Sequence, residues 1–357
     1  INSSNEQLMK PRLFIFGFPS HLGGADTKLN HLLPLLREIG YETMCVVNAP
    51  SQLKKKEWTD RLDSLGITYG MKEDIPDDVE GEIALSLCNP YFHNQGFCEY
   101  AKVAKKLKVI WSSEMMWHHD QELVNVEKGW VDKVLYVSDT QKNVLEPGYE
   151  KNKSGISWSM TGNFVDPDAF PYYMRQAAPF SIGRLSRASW EKYPEDFPVF
   201  YDEITAGIPG RVEYHVMGWN DELDKKYSWF KYKGHNRYWH LYPAAKISTL
   251  EFLRKIHMHV YPLGYTFVES WGRSTVEAML TGVIPMSFTG HHISELVEHG
   301  VSGYIVDDIL EWKEIIEEHY FDPAKRQLMG KRTAEHARDV HCNKEIHKQI
   351  WEKALEI

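Results

Sequence analysis

The 357-residue chain is 43% hydrophobic and 25% charged, with a formal net charge of -9. That length exceeds one typical core, so two domains are expected, and the acidic balance argues against a non-specific nucleic-acid binder, which needs a basic face. No run approaches the ~18 apolar residues of a membrane-spanning helix. The cysteines Cys45, Cys88, Cys98 and Cys342 form no CxxC pair and no zinc-type cluster, so they read as reduced thiols. The polar stretch 1–10 reads as neither a signal peptide nor an anchor. The expected compartment is the cytoplasm, free or peripheral to a membrane.

In chain order, 13–17 is a first apolar strand, followed by a loop holding Gly23 and Gly24. An amphipathic helix then places Leu29, Leu32, Leu33, Leu36 and Ile39 on one face and stops at Gly40. Strands are expected at 43–47, 83–88, 109–112 and 134–138, with helices at 51–65, 94–107 and from 140 to 145. A turn-rich break covers 146–155, and a Pro/Tyr/Ala-rich linker covers 167–179. The alternation restarts with strands at 180–183, 212–217, 230–234, 258–261, 284–287 and 304–306. Helices are expected at 195–204, within 242–256, at 274–280, at 294–298 and over most of the chain from 309 onward. Short continuous apolar strands alternating with helices predict parallel sheets covered on both faces. The fold class is therefore α/β with two doubly wound, Rossmann-like domains, 1–165 and 166–339, and a helix at about 340–357 packing back onto the first. Ligands of such sheets sit at the carboxyl ends of the strands.

The richest stretch runs from Tyr261 to Pro285, where Glu269 and Glu277 are separated by seven residues. Ser270, Trp271 and Gly272 follow the first acid, and the second lies on a short helix whose N-terminus would face an anion. Carboxylates beside an anion site suit hydroxyls next to a phosphate. For Glu277 a capping box from Ser274 is the structural alternative. Gly183 and Arg184 close a strand and Lys192 opens the next helix, so two cations would converge on a diphosphate. Gly23 and Gly24 would let a backbone approach the same anion. Glu114, His118, His119 and Asp120 follow the fourth strand and would bind an acceptor or orient the reacting sugar. Adjacent histidines rarely converge on one ion, so no metal is expected there.

These segments resemble the retaining nucleotide-sugar transferases of the GT-B fold, the group called glycosyltransferase family 4. The resemblance keeps its order over most of the chain. It runs from Gly23-Gly24-Ala25 through 134–138, Asn163-Phe164-Val165-Asp166 with Phe170, and Gly183-Arg184-Leu185 with Lys192. It ends with Glu269 to Gly272, Glu277-Ala278, Gly282, Pro285, Glu295 and 299–303. Phe164 stands where relatives carry glycine. The resemblance implies that Arg184 and Lys192 neutralise a leaving diphosphate, that Glu269 holds the donor sugar and that Glu277 holds the ribose. It further implies that no metal or cofactor is needed. Many relatives carry a histidine after the fourth strand, and here the segment reads Trp111-Ser112-Ser113-Glu114.

The expected activity is retaining transfer of a sugar from a UDP-, GDP- or ADP-sugar, UDP or GDP foremost, to a hydroxyl acceptor. A glycan, a lipid-linked saccharide and a small molecule all fit as acceptor. The alternatives are a nucleotide-sugar epimerase and a non-catalytic nucleotide-sugar binder. A DNA-modifying glucosyltransferase is disfavoured by the charge.

Overall fold

The computed structural model describes residues 10–21, 24–232 and 236–357. The chain divides into two compact units, one ending at Phe164 and regained at Lys344–Ile357, the other Val165–Asn343. In the first, strands β1 (Leu13–Phe16), β2 (Thr43–Val46), β3 (Thr68–Gly70), β4 (Ile83–Leu87), β5 (Lys108–Ser112), β6 (Lys133–Tyr136) and β7 (Ser157–Met160) form one sheet. Its order is β3-β2-β1-β4-β5-β6-β7, with parallel pairs throughout. In the second, β8 (Phe180–Leu185), β9 (Val212–Trp219), β10 (Arg237–Pro243), β11 (Met258–Val260), β12 (Ile284–Ser287) and β13 (Tyr304–Ile305) form a parallel sheet ordered β10-β9-β8-β11-β12-β13. The strand order reverses between β1 and β4 in one sheet and between β8 and β11 in the other, the crevices where such sheets take ligands.

Alternation along the strands explains why both faces of the first sheet are covered. Leu13 and Ile15 enter one core with Leu32, Leu36 and Trp351, while Phe14 and Phe16 enter another with Phe92, Val109 and Trp111. The helix Gly24–Ile39 carries Pro34 in its interior. A helical proline costs about 3 kcal/mol. Buried Leu29, Leu32, Leu33, Leu35 and Leu36 each contribute about 1.5–3 kcal/mol, so packing wins. The helix Lys344–Leu355 belongs to the first unit, with Trp351 and Leu355 in its core and Lys344 and Lys348 paired to Glu38.

The structure corrects several sequence expectations. Residues 146–152 are not a break, because the helix Asp139–Asn152 continues through Pro147. It is capped by Ser138 and anchored by buried Leu145 and Tyr149. The short strands β3 and β7 were not anticipated. Within 230–234, the described residues Phe230–Tyr232 form no strand. The strand lies later, at β10, whose end reaches the start of the 242–256 segment in which helices were expected. Trp239 and Leu241, two apart and so on one face of the strand, pack on the core. Among the described residues no helix is long and apolar enough to cross a membrane.

Candidate active site

In the second unit the predicted residues gather where the strand order reverses, after β8 and β11. Gly183 lies inside β8 opposite His215 of β9. A Cβ there would stand 2.5 Å from the His215 carbonyl oxygen and 2.7 Å from Ile256, so close strand packing already requires glycine.

Arg184 is fully buried. Its Nη2 donates to the Lys192 carbonyl at 2.6 Å, Nη1 to the Pro262 carbonyl and Nε to Ser186 Oγ at 3.2 Å. The guanidinium carbon lies 3.9 Å from the Tyr193 ring centre and 4.5 Å from that of Tyr261. Direct contact with phosphate was expected of Arg184; in this structure two of its bonds go to main-chain carbonyls and one to a hydroxyl, so it fastens the segment that carries Lys192.

Lys192 lies in the turn Trp190–Lys192 and puts Nζ 2.9 Å from Glu269 Oε2 and 4.7 Å from the Phe267 ring centre. Tyr261 Oη donates to the same Oε2 at 3.1 Å. Burial alone would push the Glu269 carboxyl up, but Lys192 and Tyr261 hold it below its usual range. Burial likewise opposes the Lys192 charge, and Glu269 raises the ammonium above its ordinary value. The two are therefore an ion pair.

Trp271 is buried and stacks on His292, with ring centres 6.3 Å apart. Ser270 is half-buried beside it. Gly272 adopts φ +82°, and a Cβ there would lie 2.8 Å from Ile293. It caps the helix Arg273–Leu280, so the capping box that was the structural alternative for Glu277 does not form. Glu277 instead accepts from Arg273 Nε at 2.8 Å, one turn earlier. Burial raises its carboxyl above the ordinary value, and Arg273 partly opposes this. Sequence reasoning passed over two neighbours of this group. Exposed Arg187 lies near enough to favour the Glu269 charge, and half-buried His291 is influenced by Glu269 and Asp307. No periodicity or motif singles either out.

In the first unit Gly24 opens its helix, with open space where a Cβ would stand, and Gly23 lies outside the described residues. The four predicted acceptor residues do not converge. Glu114 accepts from buried Lys28 Nζ at 2.8 Å, from Ser112 Oγ at 3.3 Å and from Asn163 Nδ2 at 3.3 Å. His118 and His119 turn elsewhere. His118 Nδ1 lies 3.3 Å from Glu122 Oε1, the His119 amide donates to Glu122 Oε2 at 2.8 Å, and His119 Nε2 lies 3.5 Å from Cys88 Sγ. Asp120 is exposed. The reason is Glu122, a fully buried acid that also accepts from Tyr149 and draws the loop onto itself. Lys28 was missed because a lysine in an amphipathic helix reads as solvated.

No family model and no curated protein matches the chain. Among solved structures it is similar to Anabaena Alr3699/HepE in complex with UDP-glucose, with TM-score 0.70 and 14% identity, covering 96% of this chain and 99% of that one. It is similar to a glycosyltransferase from Rickettsia africae, with TM-score 0.69 and 12% identity, covering 96% and 99%. It is also similar to sucrose-phosphate synthase from Thermosynechococcus elongatus, with TM-score 0.67 and 14% identity, covering 96% and 98%. At such identity the likeness is one of fold. Each unit is a parallel sheet with helices, and the α/β fold is the GT-B fold expected from the sequence.

Proposed function

We propose that the chain is a glycosyltransferase that moves a sugar from a nucleoside-diphosphate sugar to a hydroxyl acceptor with retained anomeric configuration and without a metal at the reacting centre. The observation that carries this reading is the buried Lys192–Glu269–Tyr261 set at the mouth of β8 and β11. Its fold neighbours include a protein in complex with UDP-glucose and a sucrose-phosphate synthase, which supports a nucleotide-sugar donor.

Lys192 has three donors, and one on Glu269 leaves others for phosphate oxygens. The N-terminus of the helix Arg273–Leu280 adds a partial positive charge. Glu269 Oε2 is engaged, and Oε1, which has no hydrogen-bond partner among the described residues, is left to accept from a sugar hydroxyl. Glu277 would accept from the ribose. Arg184 acts by fixing Lys192. In the step itself the bond from the anomeric carbon to the phosphate oxygen breaks. The bond to the acceptor oxygen forms on the same face, and the acceptor proton passes to the departing phosphate. The protein's part is electrostatic stabilisation of the leaving diphosphate and positioning.

Thermal melting with UDP, GDP, ADP and their glucose and mannose derivatives tests the reading. A ligand at 100 times its Kd stabilises by about 2.7 kcal/mol, so one nucleotide series should raise Tm by several degrees. Labelled donor then identifies the product. No response to any nucleotide overturns the proposal.

A further inference from the structure

We propose that Glu213, His215 and His240 form a binding site for one divalent transition-metal ion of the zinc class at the edge of the second sheet, sharing no residue with the donor site. The backbone brings the three together. Glu213 and His215 are two apart on β9, so both side chains leave the same face. His240 on the edge strand β10 is the register partner of His215. The two imidazoles stack with ring centres 4.5 Å apart and planes 12° apart. One ligand atom from each of the three residues lies within 4.8 Å of the others.

Glu213 Oε2 stands 3.3 Å from His215 Nε2 and 3.8 Å from His240 Nε2. Ligand atoms about 2.0–2.1 Å from a tetrahedral ion are roughly 3.4 Å from one another, so the carboxylate is already close to ligating distance from both rings. The remaining movement is a tilt of the stacked rings toward each other at their Nε2 edges. The surroundings fix the ligands as metal sites require. Tyr242 Oη lies 3.2 Å from His215 Nδ1 and can accept its proton, which leaves the Nε2 lone pair for a ligand. Arg211 Nη2 donates to Glu213 Oε1 at 2.6 Å, which leaves Oε2 turned to the rings.

A hydrogen-bonded His–Glu pair would account for His215 alone. It does not account for His240, whose Nε2 is buried without a hydrogen-bond partner. That orphaned nitrogen, stacked on a second imidazole and facing a carboxylate, is what an ion would satisfy. The His240 side chain is 39% exposed, so the site lies at the sheet edge, where an ion reaches the buried Nε2 once the ring tilts and a water can take the fourth position. Two imidazoles and one carboxylate suit zinc, cobalt, nickel or copper, and not magnesium or calcium, which take oxygen ligands. Bound there, the ion ties the edge strand β10 to β9.

The test uses the full chain freed of metal by chelation, equilibrated with Zn²⁺ alone and then with Co²⁺, whose visible spectrum reports the coordination. One equivalent of Zn²⁺ per chain is expected, with affinity lowered at least tenfold in His240→Ala and in Glu213→Gln. Buried His215 is left intact because its removal threatens folding. His336→Ala serves as the control at another close histidine pair, His336 and His341, and should leave binding unchanged. Failure of the unmodified chain to hold one Zn²⁺, or equal binding by His240→Ala, overturns the proposal. The readout is metal content, so it is independent of whether the chain transfers sugars.

Discussion

Lys192 Nζ and Glu269 Oε2 stand 2.9 Å apart, with both side chains nearly sealed from solvent. A pair so buried is costly to break from either side, because the survivor is left as an uncompensated charge. In the proposed reaction Lys192 also meets the charge that develops on the leaving diphosphate. Lys192→Met should therefore lower turnover by at least ~100-fold, the scale of losing one charge-stabilising donor. It should also leave burial to dominate Glu269, so that the carboxyl now lies above its usual range. The acid limb of kcat/KM then moves to higher pH than in the unmodified enzyme. Turnover close to normal, with an unmoved acid limb, would remove Lys192 from the mechanism.

Arg184 should act on turnover through Lys192. Arg184→Ala leaves the Pro262 carbonyl without its guanidinium donor and the Lys192 carbonyl with the Gly264 amide at 3.3 Å, and a buried unsatisfied group costs about 1–3 kcal/mol. The urea midpoint should fall, and Arg184→Lys should recover part of it. The distinguishing measurement is a double-mutant cycle. If Arg184 only positions Lys192, then Arg184→Ala combined with Lys192→Met turns over no more slowly than Lys192→Met alone. Additive losses would instead place the Arg184 guanidinium on the phosphate.

This division between the two cations shows what the sequence could and could not reveal. The two strands were legible, because 180–183 and 258–261 read as short strand runs; their pairing comes from the structure. Those runs place Arg184, Lys192 and Glu269 together. Which of the cations faces outward was not legible, because it depends on the carbonyls of Pro262 and Lys192, and backbone acceptors have no sequence signature. The same holds for Glu122. It reads as one more helix-surface acid, yet buried against Tyr149 it takes up His118 and His119, while Glu114 turns to Lys28. Pro147 misled in the other direction. Its local preference for a break was overruled by the packing of Leu145 and Tyr149.

Glu277 and Glu269 should separate kinetically. Glu277 is tied to Arg273 and is proposed to accept from the ribose, away from the bond that breaks. Glu277→Ala should raise the Kd for the preferred nucleoside diphosphate about tenfold, consistent with losing one hydrogen bond to a charged group. It should change kcat little. Calorimetry with the 2′-deoxy and 3′-deoxy nucleotides supplies the check. At least one of them should bind the unmodified chain more weakly than the parent nucleotide, and Glu277→Ala should erase that difference. A preference for the intact ribose that persists in Glu277→Ala would assign the ribose to another residue.

Two histidines, His257 just before β11 and His259 within it, should make the second unit acid-labile. Burial, with Arg326 nearby, brings His257 down to about 4, and burial with Arg184 brings His259 down to about 3. Each is held neutral by backbone. His257 Nδ1 accepts from the Ser181 amide at 3.1 Å, its Nε2 lies 2.8 Å from the Gln176 carbonyl, and His259 Nε2 accepts from the Leu185 amide at 3.3 Å. In the unfolded chain both titrate near the ordinary value of about 6.5. A folded value below the unfolded one gives stability that is fully present above about 6.5 and is lost as pH falls toward the folded values. Between about pH 6 and about pH 4.5 each histidine should then lower unfolding free energy by up to about 1.4 kcal/mol per pH unit. Urea unfolding across that range measures the slope. His259→Gln keeps an oxygen acceptor for the Leu185 amide and cannot take up a proton, so its slope should be shallower by about one proton. An unchanged slope would mean that acid lability arises elsewhere, whereas a shallower one places it at the strand that leads into Tyr261 and Glu269.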